Sequence, residues 1–256
     1  MTVDTPSQRG LAVRIDANGF HYRELNHLIR EAVAKGAQRI DLHGVYGQRF
    51  IATNLRSGAQ IHIHGTPGND LGAFLDGPKL IVYGNAQDGC GNTMNEGEIV
   101  VHGRAGDIAG LSARGGRIFI REDVGYRAGI HMKEYEGKRP ALVIGGTAQD
   151  FLGEYMAGGI VVVLGLTLNG GNCHTASFVG TGMHGGVIYL RGQINDYQLG
   201  REVGVGQPNR KDRAILSELV TQFAGHFGFD AEEILAGRFV KLFPLYLRPY
   251  GRLYTY

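Results

Sequence analysis

The stretch GEIVVHGRAGDIAG, residues 97–110, contains the pattern that decides the fold. A short apolar strand is followed by Gly103, and further glycines stand at positions 106 and 110. Similar strands recur along the chain, each ended by a marker residue; the markers are Gly44, Gly65, Gly84, Gly103, Glu122, Gly145, Gly165 and Gly192. Three successive intervals between Gly65 and Glu122 are each 19 residues long. One strand in every repeat of about 20 residues predicts a solenoid.

Glycines between the strands also recur at fixed offsets. In two coils the marker glycine is followed by others three and seven positions later. Glycine is needed where the backbone turns through a positive φ, or where neighbouring coils approach too closely for a Cβ. We therefore predict a column of structural turn glycines along the solenoid; they are Gly65, Gly68, Gly72, Gly84, Gly91, Gly103, Gly106, Gly110, Gly125, Gly129, Gly145 and Gly165.

The strand residues alternate between two faces, as side chains of a β-strand do. Residues two and four positions before each marker are all apolar and should point into the coil. The residues one position before the first markers should face outward; they are His43, His64, Tyr83, His102 and Arg121. Further along, the outer face becomes apolar at Leu142, Ile144, Val162 and Leu164. We expect a terminal helix or a partner subunit to cover these candidate interface residues.

These features predict an all-β solenoid, a parallel β-helix of about seven coils with flanking capping α-helices. A leucine-rich repeat is excluded because its Leu/Asn signature is absent, and a propeller blade requires about 40 residues. We expect three parts: an N-terminal helical cap at residues 1–36, the β-helix domain at 37–200, and C-terminal helices with an aromatic tail at 201–256.

Both flanks of the repeat carry helical patterns. Residues 22–34 and 211–227 have apolar residues at helical spacing, and Asp230 is the predicted N-cap of a short further helix. The tail, residues 238–256, is rich in aromatic and basic residues. It either packs along its own coil or docks into another subunit, because Tyr and Arg are favoured at interfaces. Its candidate interface residues are Tyr246, Arg248 and Tyr250.

Glycine is the compositional outlier, with 42 in 256 residues. Only 7 prolines accompany them, which excludes a collagen-like chain. A hydrophobic content of 43% argues against disorder. The net charge of +2 gives no reason to expect a nucleic acid or an anionic membrane as partner. No apolar run is long enough to span a bilayer, and the N-terminus lacks the apolar core of a signal peptide, so we expect a cytoplasmic protein.

The sequence offers no complete active site. Cys90 and Cys173 are far apart and lack a CxxC pattern, which argues against a disulfide framework and a zinc site. The outward histidines predict a surface ladder, because no carboxylate joins them at ligand spacing; they are His43, His62, His64 and His102. Cys173, His174 and His184 share a long insertion and could gather in one loop, which makes them a weaker candidate set. We therefore predict no catalytic, cofactor-binding or metal-binding residue in this chain.

The segment from Gly84 to Gly165 resembles the GXGXG domain family, most clearly in GEIVVHGRAGDIAG (97–110) and MAGGIVVVLG (156–165). That family includes the right-handed β-helix at the C-terminal end of the glutamate synthase large subunit. Stand-alone members are subunits of glutamate synthase-like and N-methylglutamate synthase complexes. A related β-helix forms one of the subunits of formylmethanofuran dehydrogenase and of the formyltransferase/hydrolase complex. The resemblance covers residues 37–200 and implies a right-handed β-helix.

The resemblance implies that catalysis takes place in partner subunits. In a glutamate synthase-like complex these are an amidotransferase subunit and a synthase subunit that holds FMN and iron–sulfur clusters. This chain would then be a scaffold without a cofactor of its own. The alternative is the corresponding scaffold of a formylmethanofuran dehydrogenase or formyltransferase/hydrolase complex. A third hypothesis, a free-standing carbohydrate-active β-helix enzyme, is disfavoured because the outward columns offer no acid pair.

Overall fold

The computed structural model describes residues 11–168 and 173–246. In it, successive strands pair in parallel with one another in chain order; they are β1 (Ala12–Asp16), β2 (Arg39–Tyr46), β3 (Gln60–Thr66), β4 (Asp76–Tyr83), β5 (Glu96–Val101), β6 (Arg117–Ile120), β7 (Ala141–Ile144), β8 (Ala157–Val163) and β9 (Gly185–Arg191). From β2 onward the connections between these strands are turns that form hydrogen bonds with the neighbouring coils. This is the predicted parallel β-solenoid, with about six turns instead of about seven.

The interior of the coil is formed by columns of stacked apolar side chains. One column runs through consecutive strands in register; it comprises Ile61, Leu80, Ile99, Ile118, Leu142, Val161 and Ile188. All of these side chains are buried in a single core cluster. Because β-branched and other bulky apolar residues pack well on a pleated surface, the repeat stabilises itself from one coil to the next.

One part of the predicted register is wrong, because β7 is shifted by one residue. Its pairing with β6 puts Gly146, and not Gly145, at the marker position. Leu142 and Ile144 therefore point into the coil, where both are fully buried, and cannot be outward interface residues. A slip of one residue moves every side chain of a strand to the other face. Val143 takes the outward position instead.

Helix α1 (Tyr22–Ala34) closes the N-terminal end of the coil, as predicted. Its apolar stripe is buried in the solenoid core; the stripe comprises Leu25, Ile29 and Ala32. The guanidinium of Arg30 donates a hydrogen bond of 2.7 Å to the backbone carbonyl of Thr53 in the first coil. The helix thus supplies the cap that the exposed end of a solenoid requires.

The C-terminal elements are α2 (Arg210–Phe227), α3 (Ala231–Leu235), β10 (Val203–Gly206) and β11 (Phe239–Pro244). Asn209 caps α2 and Asp230 caps α3 through side-chain acceptors. Strand β11 pairs antiparallel with β9 and β10, so the described part of the tail packs in cis. Residues 247–256, which include Arg248 and Tyr250, lie outside the described residues. No helix within the described ranges is long and apolar enough to cross a membrane.

Candidate functional site

Helix α2 covers the outer face of strands β5 to β9. The residues buried between them include Val100, Phe119, Val143, Val162, Leu164 and Tyr189 from the sheet side and Leu216, Leu219, Val220 and Phe223 from the helix. The hydroxyl of Tyr189 donates a hydrogen bond of 2.6 Å to Asp212, which also pairs with Lys241 at 2.9 Å. Burial and this hydrogen bond raise the pKa of Tyr189. Of the predicted interface residues, Val162 and Leu164 are therefore covered by a terminal helix of the same chain.

An ionic cluster holds the C-terminal end of α2 to the sheet. The carboxylate of Glu98 on β5 lies 2.6 Å from Nζ of Lys79 and 3.4 Å from Nε2 of His226 on the helix. Burial by itself raises the pKa of Glu98, but the contacts with His226 and Lys79 outweigh burial and bring the pKa to about 2. The carboxylate is thus charged at neutral pH and stabilises the position of the helix end.

Next to the end of α2, the outer face carries the predicted ladder of stacked rings. The rings of His43, His64, Tyr83 and His102 follow one another at centroid distances of 4.3, 4.7 and 5.2 Å. At the end of α2, the ring of Phe227 meets that of His102 edge-on at 5.2 Å. The ladder is the result of parallel, in-register pairing, which places equivalent positions of successive coils side by side.

The imidazoles of this region favour the neutral state. Burial lowers the pKa of His62, His64 and His102, and the neighbouring His43 lowers that of His64 further. His62, which we predicted to face outward, has only 8% of its surface exposed and lies with Nδ1 3.0 Å from the hydroxyl of Tyr83. Stacked neutral rings contact one another without the repulsion that two imidazolium ions would have.

A second feature is the corner of each coil. In each corner three alternate residues have a left-handed backbone conformation with positive φ, and one residue stands between each of them and the next. After β4 these residues are Gly89, Gly91 and Thr93. In the first corner the middle position is Ala52, and in the six corners after it the middle position is glycine; the glycines are Gly72, Gly91, Gly110, Gly129, Gly153 and Gly180. A Cβ at Gly91 would overlap Cδ1 of Ile118, because the middle position points into the core. This column explains several of the predicted turn glycines.

The other predicted turn glycines allow successive coils to approach closely. A Cβ at these positions would meet the backbone or a carboxylate or amide side chain of the coil before it; the glycines are Gly65, Gly68, Gly84, Gly103, Gly106, Gly125 and Gly145. Gly165 has a φ of +60° and packs beside Leu168. The repeated glycines thus serve two needs, one for the left-handed corner and one for coil stacking.

The first and third positions of the corner mostly carry other residues. In successive coils the first position is Phe50, Asp70, Gly89, Ile108, Arg127, Phe151 and Phe178, and the third is Asn54, Phe74, Thr93, Ser112, His131, Tyr155 and Gly182. Non-glycine residues with positive φ are uncommon, and aromatic side chains lack the short polar group that helps Asn and Asp there. These two columns therefore carry local strain.

Five of these residues form two neighbouring columns in the last coils, which we call the aromatic ridge: Arg127, His131, Phe151, Tyr155 and Phe178. Phe151 is half-buried and the other four are exposed. The rings of Phe151 and Phe178 stack at 4.9 Å, and the guanidinium of Arg127 lies 5.1 Å from the centre of the Phe151 ring. The rings of His131 and Tyr155 lie 5.7 Å apart. Half of the surface of Tyr155 is exposed, and 54% of that of Phe178.

The aromatic ridge is unfavourable for the isolated fold. A left-handed conformation costs roughly 1 kcal/mol for each non-glycine residue. Gly89 and Gly182 occupy equivalent positions in other coils, so the backbone accepts glycine there. Exposed rings gain little from burial in their own chain, whereas aromatic residues and Arg are the side chains that contribute most at protein interfaces. The ridge is therefore a surface suited to bind another protein.

The candidate set in the long insertion does not come together as a metal site. His174 is 4% exposed, and its Nε2 lies 3.0 Å from the backbone carbonyl of Arg191. His184 contacts a different backbone carbonyl through Nδ1, and Sγ of Cys173 accepts a bond of 3.6 Å from Asn195. Among residues 11–168 and 173–246, no group of three or more His, Cys, Asp or Glu side chains could hold a metal ion.

Sequence reasoning missed the aromatic ridge, although the sequence contains a signal for it. Arg127, Phe151 and Phe178 stand where the coil after β4 has Gly89. Once the repeats are aligned by the middle glycine, a large side chain in a column that also accepts glycine is a side chain that the backbone turn itself does not require. Tyr246, the remaining candidate of the tail that the structure describes, is 72% exposed.

Comparison with known proteins places this architecture in a family. Residues 37–246 match the family profile described as GXGXG motif. The chain is 48% identical over 251 residues to the uncharacterized protein MJ1350 of Methanocaldococcus jannaschii. The alignment covers 95% of this chain and 96% of that protein.

Among solved structures, a chain of the formyltransferase/hydrolase complex (FhcABCD) from Methylorubrum extorquens, in complex with methylofuran, superimposes with a TM-score of 0.59. The match has 19% sequence identity and covers 92% of this chain and 90% of that chain, which shows a shared fold. Since the family profile spans most of the sequence, including the corners with their repeated middle glycine, this chain belongs to the GXGXG motif family.

Proposed function

We propose that this chain is a non-catalytic scaffold subunit of a hetero-oligomeric enzyme complex. The observation that carries the proposal is the aromatic ridge, where exposed aromatic side chains are kept in left-handed conformations that glycine would adopt at lower cost. Binding a partner gives these side chains the burial that their own fold does not provide. The structural neighbour in the formyltransferase/hydrolase complex, which contains several subunits, is consistent with this role.

A solenoid is well suited to hold partners at a fixed separation. Its coils are joined by continuous backbone hydrogen bonds and stack about 4.8 Å apart, so six coils span about 30 Å. The ring ladder lies on the first coils, from His43 to His102, whereas the ridge lies on the later ones, from Arg127 to Phe178. Two surfaces on different halves of one rigid body provide places for two different subunits.

Different observations favour two parent complexes. The structural match over nine tenths of both chains favours a formyltransferase/hydrolase-type complex, or the related formylmethanofuran dehydrogenase. The sequence resemblance in residues 84–165 favours a glutamate synthase-like complex, with amidotransferase and FMN/iron–sulfur synthase subunits as partners. In both cases the cofactors and reacting groups belong to the partners, and this chain fixes the distance between them.

The test is purification of the chain, tagged at its native locus, in complex with its partners. Flavin and iron–sulfur absorbance with glutamine-dependent formation of glutamate would support the glutamate synthase-like complex. Transfer or hydrolysis of formyl groups, with partner subunits of that chemistry, would support the other. The scaffold proposal itself is overturned if the chain is a monomer in the cell extract, or if the isolated chain is catalytically active on a polysaccharide.

A further inference from the structure

A cavity of about 260 Å³ lies between the first turns of α2, the end of α3 and the start of β11. None of the elements that form this cavity carries a residue of the aromatic ridge or of the ring ladder. Helix α2 contributes both apolar and polar lining residues, α3 and β11 contribute Leu235 and Phe239, and Arg238 lies between these two elements. The cavity is therefore formed by the C-terminal elements alone.

The floor of the cavity is apolar and its rim is basic. Leu216 and Phe239 are buried side chains of the floor, and Leu235 of α3 completes it. The rim is formed by Arg213, Arg238 and Ser217, which are exposed. No acidic residue within the described ranges lines the cavity. Such a division, an apolar base with a few converging polar groups, is typical of sites for small molecules.

The two rim arginines form no ion pair with any described residue. The carboxylates of the same helix are used elsewhere, because Asp212 pairs with a lysine of β11 and Glu218 with an arginine of β6. Arg213 and Arg238 are thus two like charges at one cavity mouth, and an anion bound between them would reduce their repulsion. Guanidinium groups bind carboxylates and phosphates through two parallel hydrogen bonds.

We infer that this cavity binds an organic anion that joins a carboxylate or phosphate group to an apolar body about the size of one ring. The anionic group contacts Arg213 and Arg238, and the hydroxyl of Ser217 is available as a further donor. The apolar body lies on Leu216, Leu235 and Phe239. This inference does not depend on the proposed scaffold role, and a failure of one leaves the other intact.

The test is calorimetric titration of the full chain with phenyl phosphate and with benzoate as probes. We expect saturable binding with one site per chain, tighter than for benzamide, which lacks the charge, and tighter than for inorganic phosphate, which lacks the ring. Losing one charge-assisted contact should weaken binding about tenfold in Arg213→Gln and in Arg238→Gln. Arg210→Gln removes the same charge from the same helix outside the cavity and should leave the affinity within about twofold.

A further variant distinguishes binding in the cavity from general attraction of the anion to positive surface charge. Leu235→Phe keeps both arginines but fills the apolar floor, so the ring of phenyl phosphate should no longer fit and its affinity should fall. Thermal unfolding of each variant shows whether the fold is retained. The inference is overturned if both probes bind no tighter than benzamide, or if Arg210→Gln weakens binding as much as Arg213→Gln does.

Discussion

The rings of Phe151 and Phe178 stack at 4.9 Å although both residues have left-handed backbone conformations, with φ of 64° and 59°. Glycine occupies this position in the coil after β4, and the fold tolerates it there. The solenoid requires the left-handed backbone conformation at this position, but it does not require an aromatic side chain there. Backbone strain at side chains that the fold does not need indicates that these side chains act outside the fold. For this reason we assign the ridge to partner binding.

We predict that Phe178→Asn weakens complex formation while leaving the chain folded. Asn tolerates the left-handed region, so relief of strain should offset the lost stacking and keep the free energy of unfolding within about 1 kcal/mol of wild type. Loss of an exposed aromatic contact residue should raise the dissociation constant at least about tenfold if the ridge is an interface. Urea unfolding and titration with the purified partner measure the two effects.

The matched control is Tyr46→Asn, which removes another exposed aromatic side chain far from the ridge. Tyr46 is 90% exposed at the end of β2. Its replacement should change neither stability nor complex formation. Equal binding by wild type, Phe178→Asn and Tyr46→Asn would remove the basis for treating the ridge as an interface.

We predict that the middle corner glycine is needed for packing as well as for its backbone conformation. Gly91 and Gly137 have nearly the same φ, 72° and 75°, but only at Gly91 would a Cβ meet core atoms. Gly137→Ala should therefore cost about 1 kcal/mol from strain alone, and Gly91→Ala about 2–4 kcal/mol because overpacking adds to it. Chemical denaturation of both variants checks the difference, and equal losses would contradict it.

The repeat made most of the solenoid predictable from the sequence. Its apolar columns, its turn glycines and the positions of α1 and α2 follow from spacing and helical periodicity. The slip at β7 did not follow, because Gly145 and Gly146 are adjacent and either one satisfies the pattern. Only the pairing of Ile120 with Ile144 decides between them. Local sequence could not supply that register, which depends on how the longer preceding coil closes.

The candidate surfaces were less predictable than the fold. The apolar outer face at Leu164 indicated a cover, but sequence could not distinguish a helix of the same chain from a partner. The ridge was missed because its meaning depends on backbone conformation: Phe151 and Tyr155 look like ordinary turn residues until their positive φ values are known. Alignment of the repeats by the middle glycine identifies these positions, but only the structure shows that their backbone is left-handed.

We predict that Leu164→Asp destabilises the fold itself. Leu164 is fully buried beneath α2, so an aspartate there would place a charge in an apolar cluster. Such a change should lower the free energy of unfolding by more than about 3 kcal/mol. Tyr246→Asp introduces the same charge at a residue that is 72% exposed and should have little effect. Unchanged stability of Leu164→Asp in urea would mean that α2 does not cover this face in solution.

We predict that stability falls in mildly acidic solution because of the ring ladder and of His62, which lies beside it. Burial lowers the native pKa of His62, His64 and His102 below the value of about 6.5 expected in the unfolded chain. The unfolded state therefore binds protons more readily, and the free energy of unfolding decreases as the pH falls below about 6.5. The loss is complete once the pH lies below the native values. Urea unfolding at several pH values between about 7.5 and 5.5 measures this slope.

A variant distinguishes the ladder from other acid-sensitive groups. Carboxylates with a lowered pKa, such as Glu98, act in the same direction but only near and below their unfolded value of about 4.3. Burial also lowers the pKa of His174, which lies outside the ladder and adds to the slope in the same pH range, but neither variant below changes this residue. His102→Gln removes one titrating ring from the ladder, so the slope between pH 7.5 and 5.5 should become smaller even if the variant is less stable overall. His27→Gln, on the exposed side of α1, should keep the wild-type slope. If both variants keep the wild-type slope, the pH dependence arises outside the ladder, and the stacked rings are not its cause.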